Sequence, residues 1–195
     1  MESRAVSLYG IEWDSGNLYR ISTTDASLSL IGGTGLNGVG GMSFAPDGRL
    51  LAFTTGPDAA LYQINPDTAA PTLIGPLNIG FVSEGGMTIG SDGTAYAVEL
   101  ASVVPTGMFK IDIDTGQATA IAPIGSGIHD VNGLAWRSDG ILLGLDRGSN
   151  SLLLIDPTTG ALSTLTPLGP TVGSVGDMTV MADQGYFTTS GPAGT

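Results

Sequence analysis

The chain of 195 residues has no cysteine, one histidine (His129) and one lysine (Lys110). Without thiols there are no disulfides, no thiolate nucleophile and no cysteine-based metal site. One histidine cannot build a multi-histidine zinc centre. The basic residues are Lys110 and five arginines, Arg4, Arg20, Arg49, Arg137 and Arg147. They are too few and too scattered to pair with a phosphate backbone, which argues against nucleic acid and against an anionic membrane surface. No apolar run approaches the ~20 residues that cross a bilayer. No segment keeps a long 3.6-residue apolar period, so little helix is expected. The opening MESRAVSLYG lacks the apolar stretch of a signal peptide. It starts almost inside a strand, as a portion of a longer parent would, and the expected setting of that parent is extracellular or periplasmic.

Glycine is abundant (31), hydrophobic residues make up 42%, and charged residues only 12%. That combination fits short buried strands joined by tight turns. The formal net charge is −12, which serves solubility and would suit a cationic partner or Ca²⁺.

A motif returns through the chain: Gly40–Gly48 (GGMSFAPDG), Gly85–Gly93 (GGMTIGSDG), Asn132–Gly140 (NGLAWRSDG) and Gly176–Gly185 (GDMTVMADQG). Its aspartates, Asp47, Asp92, Asp139 and Asp183, are spaced by 45, 47 and 44 residues (92−47, 139−92, 183−139). A second motif keeps the same beat at Leu18–Ile21, Leu61–Ile64, Met108–Ile111 and Leu152–Ile155. Two motifs in step at about 45 residues predict an all-β fold, a β-propeller of about four four-stranded blades. The repeats run approximately 5–35, 36–79, 80–126, 127–170 and 171–190 within one domain, 1–195. In the second repeat the predicted strands are Gly41–Ala45 (a), Leu50–Thr54 (b), Ala60–Ile64 (c) and Pro71–Ile74 (d). Turn chemistry separates a from b at Pro46-Asp47-Gly48 and c from d at Asn65-Pro66-Asp67-Thr68.

The ends are out of phase. The chain opens with b (Val6–Gly10), c (Leu18–Ile21) and d (Leu28–Ile31), and closes with a (Met178–Met181) and b (Tyr186–Thr189). Three arrangements fit: a ring closed through the termini, an arc of a larger propeller, or a ring completed by a second copy. Unpaired edge strands favour association into a homo-oligomer.

In a propeller the a–b and c–d turns share one face, and the d–a and b–c connections share the other, around the central channel. The regular aspartates therefore read as turn formers. The irregular connections carry Asn37, Glu84, His129, Asp130, Asn132 and Asp177 (d–a), and Asp58, Glu99, Asp146 and Arg147 (b–c). The expected ligand-binding residues are Glu84, His129, Asp130, Asp146, Arg147 and Asp177. Asn132 and Glu84 are the expected metal ligands, because carboxylates with an amide oxygen suit Ca²⁺ or Mg²⁺. The bland alternative is that these side chains solvate loop ends or bond blade backbone. His129 and Asp130 are neighbours on an extended segment and point to opposite faces, which argues against a dyad. Gly125-Ser126-Gly127 is too short for a nucleophile elbow. Gly38–Gly41 opens a strand rather than a helix, so it is no dinucleotide fingerprint.

The run Asn132–Gly140, followed by Gly144-Leu145-Asp146 and Leu154-Ile155-Asp156, resembles six-bladed propellers of the NHL-repeat and gluconolactonase class. The wider pattern is similar to blade repeats in uncharacterised exported bacterial proteins. The gluconolactonase resemblance implies a central divalent metal held by a Glu, an Asn and an Asp. Asn132 falls on the family's Asn-Gly-Leu position. The matching aspartate is displaced by one residue, at Asp177, and the family's N-terminal Glu-Gly-Pro element is absent; Glu12 precedes Trp13-Asp14 instead. Two readings follow. One is a non-catalytic binding or scaffold propeller presenting an acidic loop face to a protein, a glycan or a cation. The other is a divalent-metal-dependent hydrolase or lactonase.

Overall fold

Local turn chemistry sets the strand ends. In the computed structural model, which describes residues 7–80, 82–99, 107–123, 130–168, 174–181 and 184–190, Oδ1 of Asp47, Asp92 and Asp139 accepts the N–H of Arg49, Thr94 and Ile141 at 3.0, 2.9 and 3.4 Å. The glycines that follow, Gly48, Gly93 and Gly140, take φ of 90°, 82° and 83°, which a Cβ would make costly. Asn65, Asp112 and Asp156 each accept the N–H groups two and three residues ahead, closing the c–d turns. Asp183 lies outside the described residues.

Between these turns the chain forms strands alone; the described residues contain no helix. The first sheet is β1 (Ser7–Ile11), β2 (Asn17–Ser22) and β3 (Leu28–Gly33). The second is β4 (Val39–Phe44), β5 (Leu50–Thr54), β6 (Ala60–Ile64) and β7 (Pro71–Pro76). The third is β8 (Met87–Ile89), β9 (Ala95–Glu99), β10 (Gly107–Ile111) and β11 (Ala118–Pro123). The fourth is β12 (Val131–Trp136), β13 (Leu142–Asp146), β14 (Ser151–Ile155) and β15 (Leu162–Pro167), and β16 (Ser174–Met181) with β17 (Gln184–Ser190) makes the last. Every pairing is antiparallel between sequential strands, as in a meander. The order is therefore bcd, three times abcd, then ab: a β-propeller of about four blades. No pairing among the described residues joins β1–β3 to β16–β17.

The second strand of each blade explains the core. β5, β9 and β13 are buried at every residue, because a blade is covered on both faces and its middle strand cannot alternate polar with apolar. Alternate residues serve different interfaces. Leu50 and Ala52 pack towards the first sheet with Leu18 and Ile64, whereas Leu51 and Phe53 pack towards the third with Met87, Ala95 and Ala97. The next two interfaces repeat this around Leu134 and Leu142, then around Leu143, Leu145 and Met178. Each buried Leu, Ile, Phe or Met among them contributes about 1.5–3 kcal/mol by leaving water.

Two close approaches stack the blades. At the centre, a Cβ on Gly41 would stand 2.5 Å from the Met87 nitrogen, and one on Gly133 would stand 2.8 Å from the Met178 nitrogen. Inner strands thus approach backbone to backbone. At the rim, two c–d turns seat on the preceding blade: a Cβ on Gly32 would meet the Thr68 carbonyl oxygen at 3.2 Å, and one on Gly75 would overlap that of Thr115; β11 carries Ala122 at this position, opposite Met108. At the same strand position in β15 stands Thr166, opposite Leu152 as Gly32 is opposite Leu18 and Gly75 opposite Leu61. Thr166 is exposed.

Candidate functional site

The face sorting holds at the level of individual contacts. On one face, Arg49 after the a–b turn pairs with Asp114 in a c–d turn at 2.9 Å. On the other, Thr55 from a b–c loop donates its hydroxyl to the Gly38 carbonyl at 2.8 Å, and Gly38 donates its N–H to the Trp13 carbonyl at 3.1 Å.

On this second face the third and fourth blades meet through Arg147. Its Nε donates to Oδ2 of Asp130 at 2.8 Å, and a terminal nitrogen lies 3.6 Å from Oε2 of Glu84. Asp130, Arg147 and Glu84 thus come together. Asp146 stands beside them: its Oδ2 accepts the Ser149 N–H at 2.9 Å and the Ser149 hydroxyl. Asp58 and Asn37 are exposed on the neighbouring rim. His129 lies outside the described residues.

A repeated slot positions the buried acids. Leu50, Ala95 and Leu142 lie opposite Ile64, Ile111 and Ile155, which aligns the three b strands. Four residues on, at the strand's end, stand Thr54, Glu99 and Asp146. Thr54 uses its hydroxyl wholly on the loop: it accepts the Ala60 N–H at 3.1 Å and bonds the Ala60 carbonyl at 3.4 Å. The carboxylates that replace it carry a spare oxygen. Glu99 and Asp146 are 5% and 1% exposed, yet Oε1 and Oδ1 respectively have no hydrogen-bond partner. The same holds for Oδ1 of Asn132 and of Asp130. Leaving one such buried acceptor unpaired costs about 1–3 kcal/mol, so these oxygens are dear unless something donates to them. Burial pushes the Glu99 carboxyl up, partly offset by the Ser83 N–H.

Asn132 and Asp177 stand at irregularities of adjoining inner strands that strand periodicity hides. A β-bulge falls between Val131 and Gly133, and another between Val175 and Met178. Asn132 is the first residue of its bulge and Asp177 the second residue of the equivalent one. A bulge places two residues against one, so strict alternation stops there and the one-residue offset does not by itself reverse the face. The two strands adjoin, since a Cβ on Gly133 would lie 3.2 Å from the Asp177 carbonyl carbon. Burial pushes the Asp177 carboxyl up to about 7, against the Met178 N–H donated to it at 2.7 Å.

As for the implied divalent metal, Asn132 supplies an unpaired amide oxygen that fits such an ion. However, no group of three His, Cys, Asp or Glu side chains among the described residues is arranged to hold one. Sequence reasoning did not find the Arg147 bridge, the Ser149 cap or the bulges. Arg147 was the one legible signal, as the single base in the irregular connections.

The fold is a β-propeller, and this loop face carries buried acceptor oxygens. No family model and no curated protein matches the sequence. Solved structures match its fold. A chain of a nidogen/laminin complex is 14% identical, with a TM-score of 0.68 over 95% of this chain and 68% of its own length. A protein of unknown function from Bacteroides thetaiotaomicron is 17% identical, with a TM-score of 0.71 over 97% of this chain and 55% of its own. The PQQ-bound aldose sugar dehydrogenase of Streptomyces coelicolor is 13% identical, with a TM-score of 0.65 over 95% and 72%. This chain therefore spans just over half to under three quarters of these structures. Likeness at such identities concerns the fold alone.

Proposed function

We propose that the protein is a non-catalytic binding propeller whose d–a and b–c face takes a cation or a donor-rich group of a protein or glycan. The observation that supports this reading is the set of buried acceptor oxygens without donors, on Glu99, Asp130, Asn132 and Asp146. The nearby guanidinium of Arg147 is already spent on Asp130 and Glu84. A protein ligand stays in view because one fold neighbour was crystallised in a nidogen/laminin complex. Calorimetric titration of Ca²⁺ tests the cation reading. Wild-type protein should release or absorb heat with saturation, and combined Asn132→Ala and Glu84→Ala should weaken the binding. Absence of binding at millimolar Ca²⁺ would remove the cation and leave protein or glycan as the ligand class.

The second reading, a metal-dependent hydrolase of gluconolactonase type, draws on Asn132 and Asp177 on adjoining inner strands and on the Asp177 carboxyl, which burial pushes up to about 7. Such a group is matched to general-base work at neutral pH. Hydrolysis of simple sugar lactones, dependent on added divalent metal and lost in Asp177→Asn, would favour this reading over the first.

A further inference from the structure

We propose that the free face of the first sheet docks a second copy of this chain, the two faces packed sheet on sheet about a two-fold axis. Pairing register sets its residues in two rows: Leu8, Ile21 and Leu28, then Gly10, Tyr19 and Leu30. A Cβ built on Gly10 would stand 3.0 Å from Cδ1 of Ile21, so both belong to one side. Tyr9, Ile11 and Leu18 take the other side and pack on the second sheet with Leu50, Ala52 and Ile64. Arg20 also leaves on that other side, its guanidinium 5.7 Å from the centre of the Tyr9 ring. The two rows therefore carry no charge.

The occupant follows from how the same face is used elsewhere in the chain. In the next three sheets Leu50, Ala95 and Leu142 take the position of Leu8, and Ile64, Ile111 and Ile155 that of Ile21. All six are buried, and each pair is covered by the preceding blade of this chain. Gly144 repeats Gly10 down to the isoleucine over it, since a Cβ there would stand 2.6 Å from Cδ1 of Ile155. In the first sheet Leu8 and Ile21 are half-buried. Leu28 is 63% exposed, whereas Ala118 in its place in the third sheet is buried. The inner edge of β1 is open as well: β5, β9 and β13 each pair with an a strand, and β1 has none among the described residues. An open strand edge beside an uncharged apolar face favours association, and this face is built to take a propeller blade. A second copy supplies one. A head-to-tail contact would bring a c–d turn against the exposed Thr166, where the first two sheets offer Gly32 and Gly75. Packed face to face, the patch meets itself and Thr166 is not involved. The charge of −12 on each copy opposes the approach, so added salt should strengthen the contact.

The experiment is light scattering with size exclusion over a dilution series, on the whole chain as wild type, Leu28→Glu, Leu28→Ser and Leu73→Glu. Leu73 is 59% exposed on β7 of the second sheet, so its Glu variant adds the same charge away from the face. Wild type should approach twice 19.6 kDa and go no higher, and should do so at lower concentration when salt is added. Leu28→Glu should weaken dimerisation about tenfold or more, Leu28→Ser about threefold or more, and Leu73→Glu by less than about twofold. A wild type that is monomeric at every concentration overturns the proposal. So does a mass that grows past two copies, which means a head-to-tail contact. Equal weakening by Leu28→Glu and Leu73→Glu, or none by either Leu28 variant, places the contact elsewhere. Should Leu28→Glu melt early, the Leu28→Ser comparison decides alone.

Discussion

At the scale of the residue, the aspartates divide by environment. Those in turns, Asp47, Asp92, Asp112, Asp139 and Asp156, are held below the usual carboxylate range. At Asp139 the cause is first the Arg137 guanidinium and then the Ile141 N–H; at the others it is first backbone N–H donors, joined at Asp47 by the Arg49 guanidinium. A folded-state pKa below the unfolded one stabilises above the unfolded value, and that stabilisation is lost as pH falls through the folded value. Thermal melts should therefore show the midpoint dropping below about pH 4, and less steeply in Asp92→Asn. Asp177 has the opposite sign. Its carboxyl is raised to about 7, so the folded state holds the proton more tightly, and stability declines as pH rises from its ordinary value of 3.8 towards 7. Asp177→Asn should flatten the pH dependence in that window; an unchanged slope would assign the loss to another group.

At the scale of the element, blades are seated by glycines that stand in strands rather than in turns. Gly75 needs no unusual φ. It is glycine because the Thr115 carbonyl occupies the place of its Cβ. Gly75→Ala should cost about 1–3 kcal/mol by overpacking, measured by denaturant unfolding. Gly48→Ala, where nothing lies within 4 Å but φ is 90°, should cost about 1 kcal/mol through backbone strain alone. The Arg147 bridge ties two blades, yet it is partly solvated. Arg147→Ala should lower stability by at most about 1 kcal/mol, an effect that shrinks with added salt.

At the scale of the molecule, the strand position held by Gly32 and Gly75 in the first two sheets is Ala122 in the third and Thr166, with an exposed side chain, in the fourth. Closing the fourth sheet onto the first sheet's c–d turn would bring that turn against the Thr166 side chain, which is larger than the glycine or alanine of the other three sheets. We therefore expect an arc that self-associates rather than a sealed four-bladed monomer. Light scattering coupled to size exclusion should report a mass above 19.6 kDa that falls on dilution. A strictly monomeric mass at all concentrations would point to closure by another route.

The sequence alone carried the architecture, because a blade is local. Its turns are four- to six-residue units of Asp, Asn and Gly, and its strands pair with sequence neighbours, so β5 and β6 fall on their expected residues. Candidate site residues were also legible, since the repeat itself separates regular turns from irregular connections. What tertiary structure decided is which of those residues meet and what each still lacks. The bulges at Asn132 and Asp177 lie on adjoining inner strands, and no two-residue period records them. Arg147 reaches Glu84 from 63 residues away (147−84) because one blade lies against the next. The spare oxygens of Glu99 and Asp146 become significant only once burial has removed the water that would otherwise satisfy them.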